Sequence, residues 1–467
     1  MAIFNKLQVS YYSAEYSSVN IVNHAVKDAL EVLEGDKISF KDGSGQLVLE
    51  SKDGRRLELD VEETSKASKI SDYLGSVILF LEHEYPDKGP EFIFKIVVDG
   101  AMNELDPHSE YLDKNENSNR NNNIKGKYAG VGMEVTKRGS KIKVVAPFEG
   151  GPAKSAGIKS GDMILSVDGE SVRGMSIADA VSKIRGLAGS TVVIAVRSAE
   201  DGKDREFSIV RKPLTAKPVH VTELASGYVH ARISWFNDDT AKLLSSLLSE
   251  SDTSKGIILD LRDNPGGRVS AAVEVADLFL PSGRVVQIKG RNKADRRDLI
   301  SKSSFSDYDC PVVVLINASS ASSSEIVAGA LQDRERALVL GIPSFGKGTI
   351  QTVYPLTRGD ALKLTRYMFF LPSGRQVQTI GIIPDVYVRT PGKDIPDSVE
   401  REKDLANAFD SGKPYVTAQR PCIYVGSTSD KDEMLEVALQ VLMNAGEGGV
   451  SGLKRVAESL AAVKTAQ

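Results

Sequence analysis

Residues 311–333, PVVVLINASSASSSEIVAGALQD, join an apolar stretch to a run of serines and then to a helix-like pattern. The apolar stretch is typical of a buried strand, and the apolar spacing after Glu325 is typical of a helix. Five of the six residues from Ser319 to Ser324 are serines. Because serine is a favoured N-cap and Ser322 precedes Glu325 by three positions, these residues fit a capping box. The stretch therefore predicts a strand, a polar turn and a capped helix.

The alternation of strand and helix extends over much of the second half of the chain. Apolar strand patterns alternate with helical patterns in seven segments: 228–236, 238–250, 256–262, 270–280, 311–317, 323–333 and 337–341. Strands separated by helical stretches of this length indicate an α/β layer. We therefore expect the core of the chain to be an α/β domain.

The remaining regions have patterns of their own. Helical spacing occurs at 20–34, 69–84 and 91–105, with hairpin strands between the first two and Gly100 interrupting the third. The Asn-rich stretch 115–125 has no apolar periodicity and is predicted to be a linker. A compact unit of strands and short helices follows it, and the end of the chain has a mainly helical pattern. These patterns divide the chain into five regions: 1–114, 115–125, 126–215, 216–420 and 421–467.

Composition and charge exclude several classes of protein. At 467 residues the chain is expected to form several domains, and its 41% hydrophobic and 26% charged residues are those of a soluble globular protein. A net charge of −4 indicates no general affinity for nucleic acid or anionic membranes. No apolar run is long enough for a membrane helix, and the first residues lack a signal-peptide pattern. The spacing of Cys310 and Cys422 leaves open whether they pair.

Two glycine patterns resemble nucleotide-binding motifs but lack essential parts. Residues 341–347, GIPSFGK, match most of a phosphate-binding loop, yet Gly348 stands where that loop needs Ser or Thr, and β-rich sequence follows. Residues 130–132, GVG, lack the third glycine of a dinucleotide-binding turn. Histidines and cysteines do not cluster at metal-ligand spacing. We therefore expect no cofactor and no metal.

The serine run also has features of a nucleophile site. A helix N-terminus offers free N–H groups and a positive dipole end, which suit the oxyanion that forms when a serine attacks a carbonyl. Lys347 lies between two glycines where its side chain could turn inward, and burial would lower its pKa enough for it to act as a base. Gln351, on the same face of a strand, could hold the lysine amine. No histidine lies in a segment typical of an active-site loop; the histidines are His24, His83, His108, His220 and His230.

Several segments of the chain resemble the carboxy-terminal processing peptidases, or tail-specific proteases. The strongest is 319–356, SSASSSEIVAGALQDRERALVLGIPSFGKGTIQTVYPL, which is similar to their catalytic segment. Further matches are 105–113 (LDPHSEYLD), 259–267 (LDLRDNPGG) and 361–385. The unit at 126–198 resembles their PDZ domain.

This resemblance implies a serine endopeptidase with a Ser–Lys dyad. It makes Ser322 the nucleophile and Lys347 the general base, with Gln351 orienting the base and Glu325 capping the helix. The chain departs from the family pattern at Ser323, where alanine is usual, but only the backbone N–H of this position is needed. That N–H, with one from Gly266 or Gly267, would form the oxyanion hole.

The resemblance also implies an architecture and a class of partner. The fold is expected to be multidomain α/β: a crotonase/ClpP-like protease core with an inserted PDZ domain, an N-terminal mainly helical region and a C-terminal helical region. The partners are proteins or peptides with apolar C-terminal tails, and an adaptor protein and an oligomer fit the same reading. Relatives are mostly exported, which favours a periplasmic or envelope location, with the cytoplasm as the alternative. The PDZ residues expected to bind the tail are Gly130, Val131, Gly132, Met133 and Arg185.

Two other functions are compatible with parts of the sequence. A catalytically inactive PDZ-containing scaffold would bind partners without cleaving them, although the spacing of Ser322, Lys347 and Gln351 argues against it. A crotonase-like acyl-transfer enzyme would leave the PDZ unit unexplained. Incubation with an unfolded protein that carries an apolar C-terminus separates the three.

Overall fold

A computed structural model describes residues 2–465 of the chain with several gaps. The residues left out are 14–15, 34–36, 44, 65, 125–126, 139–140, 148–149, 174, 176, 216, 226, 303–307, 390–400, 411–420, 425–431 and 447. All structural statements below concern the described residues.

The N-terminal region packs helices around a small antiparallel sheet, in the order β1-β2-β3. Its elements are α1 (Ala2–Ser10), α2 (Ser18–Val32), β1 (Ile38–Gly43), β2 (Gln46–Ser51), β3 (Arg56–Asp60), α3 (Ala67–Glu84), α4 (Pro90–Asn103), β4 (Glu110–Leu112) and α5 (Lys114–Ile124). The helices and hairpin strands predicted here are confirmed, whereas α1 was not predicted.

Gly100 does not interrupt α4, contrary to the sequence prediction. A Cβ atom at this position would lie 2.9 Å from the Cα of Ala25 and from the Cβ of Asp28, both on α2. The glycine therefore allows α4 to pack closely against α2.

The stretch predicted to be a linker is helical over most of its length, as α5. Asp113 accepts hydrogen bonds from the N–H groups of Asn115 and Glu116, and its own N–H donates to the Glu116 side chain at 3.0 Å. These reciprocal bonds form a capping box that compensates for the missing apolar face. Asn117 also donates to the carbonyl of Gly359 in the core. Whether the segment acts as a linker between domains stays a prediction.

The compact unit that follows has the predicted order of strands and helices. Its elements are β5 (Lys127–Gly130), β6 (Met133–Arg138), β7 (Lys141–Pro147), α6 (Pro152–Ala156), β8 (Met163–Val167), β9 (Glu170–Ser171), α7 (Ile177–Ile184), β10 (Thr191–Arg197), β11 (Asp204–Val210) and β12 (Lys212–Thr215). The main sheet has the order β11-β10-β8-β7-β6, so β6 is an edge strand. Strands β5 and β12 pair with each other where the chain enters and leaves the unit.

The core consists of two sheets with helices on both faces of the larger one. Its elements are β13 (Val219–Ala225), β14 (Tyr228–Ile233), α8 (Thr240–Ser249), β15 (Gly256–Asp260), α9 (Val269–Asp277), β16 (Gly283–Gly290), β17 (Arg297–Ser301), β18 (Val312–Ile316), α10 (Ser323–Asp333), β19 (Ala337–Gly341), β20 (Thr349–Pro355), β21 (Ala361–Phe370), β22 (Val386–Arg389), β23 (Cys422–Tyr424), α11 (Glu433–Asn444) and α12 (Gly449–Thr465). Short 3₁₀ turns occur at Lys293–Asp295, Thr357–Gly359 and Glu402–Asp404.

The larger sheet has the order β13-β14-β15-β18-β19-β22-β23 and is parallel from β14 to β23. Every residue of β15, β18 and β19 is buried. Helices α8, α9 and α10 cover one face, and α11 and α12 cover the other. Burial on both faces explains why these strands have continuous apolar sequences. The predicted α/β layer is confirmed.

The smaller sheet brings the N-terminal region to the core. It has the order β17-β16-β21-β20, and β4 pairs with β21. Leu362 and Leu364 of β21 are buried in the N-terminal hydrophobic core. As a result, the segment 105–113 lies beside β21, which pairs with β20, the strand that follows Lys347.

The C-terminal region is mainly helical, as predicted, but it begins with strand β23 at the edge of the larger sheet. The three residues of β23 are too few to give a recognisable strand pattern. Cys310 and Cys422 are both free thiols. None of the helices in the described part of the chain is long and apolar enough to cross a membrane.

Candidate active site

Ser322 occupies the N-cap of α10, at the turn that follows β18. Its backbone has φ of 55° and ψ of −110°, a conformation that L-residues seldom adopt. Non-glycine residues in such conformations are strained and are found more often at functional sites than elsewhere. The strand, the turn and the capped helix predicted from the sequence are confirmed.

The neighbouring serines use their hydroxyls to hold the turn together. Ser320 donates to the carbonyl of Leu261 at 2.8 Å, Ser323 donates to Gly267 at 3.1 Å, and Ser324 donates to Asn264 at 2.9 Å. The hydroxyl of Ser322 donates to no group in the described part of the chain. Of these four serines, Ser322 is therefore the one whose proton is available for chemistry.

Gly266 lies directly against Ser322, and the carbonyl of Gly267 accepts a hydrogen bond from the hydroxyl of Ser323. A Cβ atom on Gly266 would be 2.9 Å from the Cβ of Ser322, and one on Gly267 would be 2.0 Å from the carbonyl oxygen of Phe236. The N–H of Gly266 already donates to the side chain of Asn264 at 2.9 Å. Among the described residues, the N–H groups of Gly267 and Ser323 have no acceptor. Two backbone donors are thus open beside the Ser322 hydroxyl.

Lys347 lies on a turn that Glu325 ties to the start of α10. The carboxylate of Glu325 is fully buried and accepts hydrogen bonds from Ser322 N–H, Gly346 N–H, Lys347 N–H and the hydroxyl of Ser344. The expected cap by Glu325 is therefore present, and the same carboxylate also holds the turn that carries Lys347. Burial raises the pKa of Glu325 to about 7, although its four donors oppose the shift.

The side chain of Lys347 is buried, and its amine lies 3.3 Å from Nδ1 of His108. Burial is the main reason that its pKa falls to about 8, and the nearby charge of Lys363 lowers it further. A lysine with such a pKa is partly neutral near physiological pH and could accept a proton. The amine and the Ser322 hydroxyl form no hydrogen bond with each other in this structure.

His108 was not predicted to lie in the site. Its Nε2 is 2.8 Å from the carboxylate of Glu402, which is fully buried. The backbone N–H of His108 donates to the side chain of Asp106. Residues 105–113 resemble a segment of the peptidase family, but the sequence alone assigns no role to His108.

The amide of Gln351 does not contact Lys347, contrary to the sequence prediction. It donates to the hydroxyls of Thr349 and Thr365, at 3.0 and 3.1 Å. A register shift between Ile350 and Gln351 in the pairing of β20 with β21 accompanies this placement. Thr349 and Gln351 do share a face, as their hydrogen bond shows, but Lys347 precedes β20, so the alternation of the strand does not extend to it.

The residues expected to bind a peptide tail lie together in the compact unit. Gly130, Val131 and Gly132 are buried, and they lead from β5 into the edge strand β6 at Met133. Met133 is half-buried and packs against the core of the unit. Arg185 directly follows α7, is half-buried, and donates its N–H to the carbonyl of Val181.

Comparison with known proteins identifies the family. The model of peptidase family S41 matches residues 226–388, and a PDZ domain model matches residues 143–198. A carboxy-terminal-processing protease from Bartonella bacilliformis is 38% identical over 301 residues, which are 63% of this chain and 69% of that protein. The chain belongs to the family of carboxy-terminal-processing proteases. Membership places it among the serine proteases that carry a PDZ domain.

Other relatives are similar over a comparable length. A probable CtpA-like serine protease from Staphylococcus aureus strain N315 is 34% identical over 310 residues, which are 66% of this chain but 62% of that protein. The solved structure of the photosystem II D1 C-terminal processing protease has 30% identity and a TM-score of 0.43 and covers 66% of this chain and 86% of that chain.

Proposed function

We propose that this protease binds the C-terminal tails of proteins through its PDZ domain and cleaves nearby through an acyl-enzyme on Ser322. One observation carries the proposal: a single carboxylate, Glu325, holds the backbone of both Ser322 and the low-pKa Lys347. The nucleophile and its base are thereby fixed on neighbouring turns, as nucleophilic catalysis requires.

In the proposed reaction, neutral Lys347 takes the proton of Ser322 as the hydroxyl attacks the scissile carbonyl. The resulting ammonium then protonates the leaving amine, and an acyl-enzyme remains on Ser322. Lys347, neutral again, removes a proton from the water that attacks the ester, and it returns this proton to the Ser322 oxygen as the acid product leaves. Catalytic hydrogen bonds commonly tighten only when substrate is bound, which fits the absence of a Ser322–Lys347 bond here.

The oxyanion hole is proposed to consist of the N–H groups of Ser323 and Gly267. The resemblance left Gly266 and Gly267 as alternatives for the second donor. The hydrogen bond from Gly266 N–H to Asn264 favours Gly267, because a donor already engaged is less available to an oxyanion.

Tail recognition is assigned to the loop 130–132 and to Met133 at the start of β6. Because β6 is an edge strand, an extended peptide could pair with it while backbone N–H groups of the loop hold the terminal carboxylate. Met133 and Val135, both half-buried, are proposed to line the pocket for the last apolar side chain. Arg185 is proposed to lie close to that carboxylate.

The remaining features are proposed from the family resemblance. The core is assigned to the crotonase/ClpP-like superfamily, the location to the periplasm or cell envelope, and an adaptor protein and an oligomer are further proposals.

The test uses the full chain and an unfolded protein with an apolar C-terminus. We expect the wild-type chain to cleave it and Ser322→Ala to bind it without cleavage. If the wild-type chain binds this protein but never cleaves it, the scaffold function is correct instead.

A further inference from the structure

Resting on the proposed function, we propose that His108 is a positioning residue that orients the Lys347 amine for proton transfer. This is the task that the sequence resemblance gave to Gln351. The proposal stands on a chain of contacts that begins at the buried side chains of Gln378 and Glu402 and runs through His108 to the Lys347 amine.

The protonation of the imidazole follows from its two neighbours. A carboxylate can only accept, so Nε2 of His108 carries the proton that faces Glu402. Nδ1 is then an acceptor, and it lies 3.3 Å from the Lys347 amine. A doubly protonated imidazole would turn an N–H toward the lysine ammonium, which also only donates. The neutral ring with its proton on Nε2 therefore fits both partners.

An acceptor at this position gives the amine a defined direction. A neutral lysine amine has two N–H groups and one lone pair, and the lone pair must face Ser322 to take its proton. If one N–H is fixed on His108, the amine can no longer rotate freely about the end of its side chain. A long, flexible lysine needs such a restraint more than a rigid imidazole base does.

The supports of His108 are buried and fully engaged. Glu402 is held by the amide of Gln378 at 2.8 Å, and the carbonyl oxygen of that amide accepts from Gly348 N–H, next to Lys347. The carboxylate of Asp106 accepts hydrogen bonds from the backbone N–H of His108 and from the hydroxyl of Thr365. Glu402 thus holds the imidazole ring, while Asp106 holds the backbone from which the ring projects.

Gln351 contributes to the same arrangement indirectly. Its amide donates to the hydroxyl of Thr365, and that hydroxyl donates to the carboxylate of Asp106. The same carboxylate accepts the backbone N–H of His108. The glutamine therefore supports the turn that presents the imidazole, and it does not contact the lysine. This connection gives Gln351 a role that agrees with its observed position.

Several charged groups face the Lys347 amine besides the imidazole. Lys363 disfavours the ammonium, whereas Glu402, Asp106 and Glu110 favour it. Glu402 contacts the imidazole ring of His108, whereas Asp106 accepts its backbone N–H. Removing its charge should therefore change both the base strength of Lys347 and the hold on the imidazole.

The first experiment compares amide replacements of His108 in the full chain. Asn places its Oδ1 where Nδ1 of the imidazole lies, whereas Gln reaches toward Glu402 but has no acceptor at the δ position. We expect His108→Ala to lower kcat by about 10- to 100-fold with little change in KM. His108→Asn should recover several-fold more kcat than His108→Gln, with thermal unfolding measured for all three.

The second experiment measures kcat/KM against pH for Glu402→Gln. Because Glu402 raises the pKa of Lys347, removing the Glu402 charge should move the rise in activity to lower pH. Each profile is normalised to the plateau of its own variant. A profile that does not move contradicts the proposal even if the variant is less stable than the wild type.

Three results with the His108 variants would also overturn the positioning role. The first is an unchanged kcat in His108→Ala. The second is a higher kcat in that variant, which would mean that the imidazole holds the amine away from Ser322. The third is a kcat that recovers better in His108→Gln than in His108→Asn. Failure of the proposed function looks different, since the wild-type chain would then be inactive or Ser322→Ala would retain cleavage. The two proposals can therefore fail separately.

Discussion

The backbone N–H groups of Ser322 and Lys347 donate to the same carboxylate oxygen of Glu325, at 2.7 and 2.9 Å. The other oxygen accepts from the hydroxyl of Ser344 and from Gly346 N–H, at 2.6 and 2.7 Å. One side chain therefore sets the spacing between the proposed nucleophile and its base. The residue that caps α10 thus also holds the turn that carries the proposed base.

The first prediction concerns Glu325→Gln. An amide has one accepting oxygen, so its NH2 group would face two of the four donors, whichever way it is turned. We expect a loss of about 2 kcal/mol or more in the free energy of unfolding and a fall in kcat, measured by thermal unfolding and by peptide cleavage. Glu274→Gln, an exposed change on α9, is the control and should alter neither. Unchanged cleavage in Glu325→Gln would show that the shared carboxylate does not set the geometry of the site.

The second prediction separates the serines. Ser322→Ala should abolish cleavage, while Ser320→Ala, Ser323→Ala and Ser324→Ala retain most of it. Ser324→Ala should still cost about 1 kcal/mol of stability, because its hydroxyl bonds the carbonyl of Asn264 in a buried position. Cleavage rates and unfolding midpoints of the four variants check both statements. If Ser324→Ala did not cleave the substrate and Ser322→Ala did, Ser322 would not be the nucleophile.

The part of the site that sequence reasoning found is local in the chain. Ser322 and Glu325 belong to one turn and one helix start, and the α/β order of the core follows from apolar periodicity. Lys347 needed the family resemblance, because an isolated lysine between glycines is usually a surface residue. Its burial depends on packing that periodicity does not describe.

The missed features depend on contacts between distant segments. His108 is 239 residues from Lys347 and reaches it because β4 pairs with β21 in the smaller sheet. Gln351 donates to Thr365 on the paired strand β21, a partner that the alternation within β20 does not identify. The choice between Gly266 and Gly267 depends on one side-chain hydrogen bond, from Gly266 to Asn264.

The third prediction is the pH dependence of cleavage. Lys347 must be neutral to accept a proton, and its pKa of about 8 lies below the ordinary lysine value because the side chain is buried. The rate kcat/KM should therefore rise with pH and level off above about pH 9. A profile that falls through the same range would argue against a lysine base.

The fourth prediction tests the same base by substitution and by metal removal. Lys347→Arg should be inactive, because a guanidinium stays protonated at every pH used. EDTA should have no effect on the wild-type chain, since the proposed mechanism uses no metal. Inhibition by EDTA that added zinc reverses would count strongly against the Ser–Lys mechanism.

The last prediction is that tail binding controls cleavage. The loop 130–132, which is proposed to bind the tail, follows β5. Because β5 pairs with β12, which leads back to the core, movement of the loop could reach the Ser322 site. If the tail binds the closed state better than the open one, that difference in binding energy shifts the population. Arg185→Ala should then slow cleavage of a substrate with a free C-terminus by about fivefold or more, with little change in unfolding temperature.

The measurement compares substrates with a free and an amidated C-terminus, with Arg173→Ala as an exposed control in the same domain. The free carboxylate should be needed for fast turnover, because an amide removes the charge that the loop and Arg185 are proposed to read. Arg173→Ala should behave as the wild type. Equal cleavage of both substrates, unchanged by Arg185→Ala, would mean that the PDZ domain neither reads the carboxylate nor gates the site.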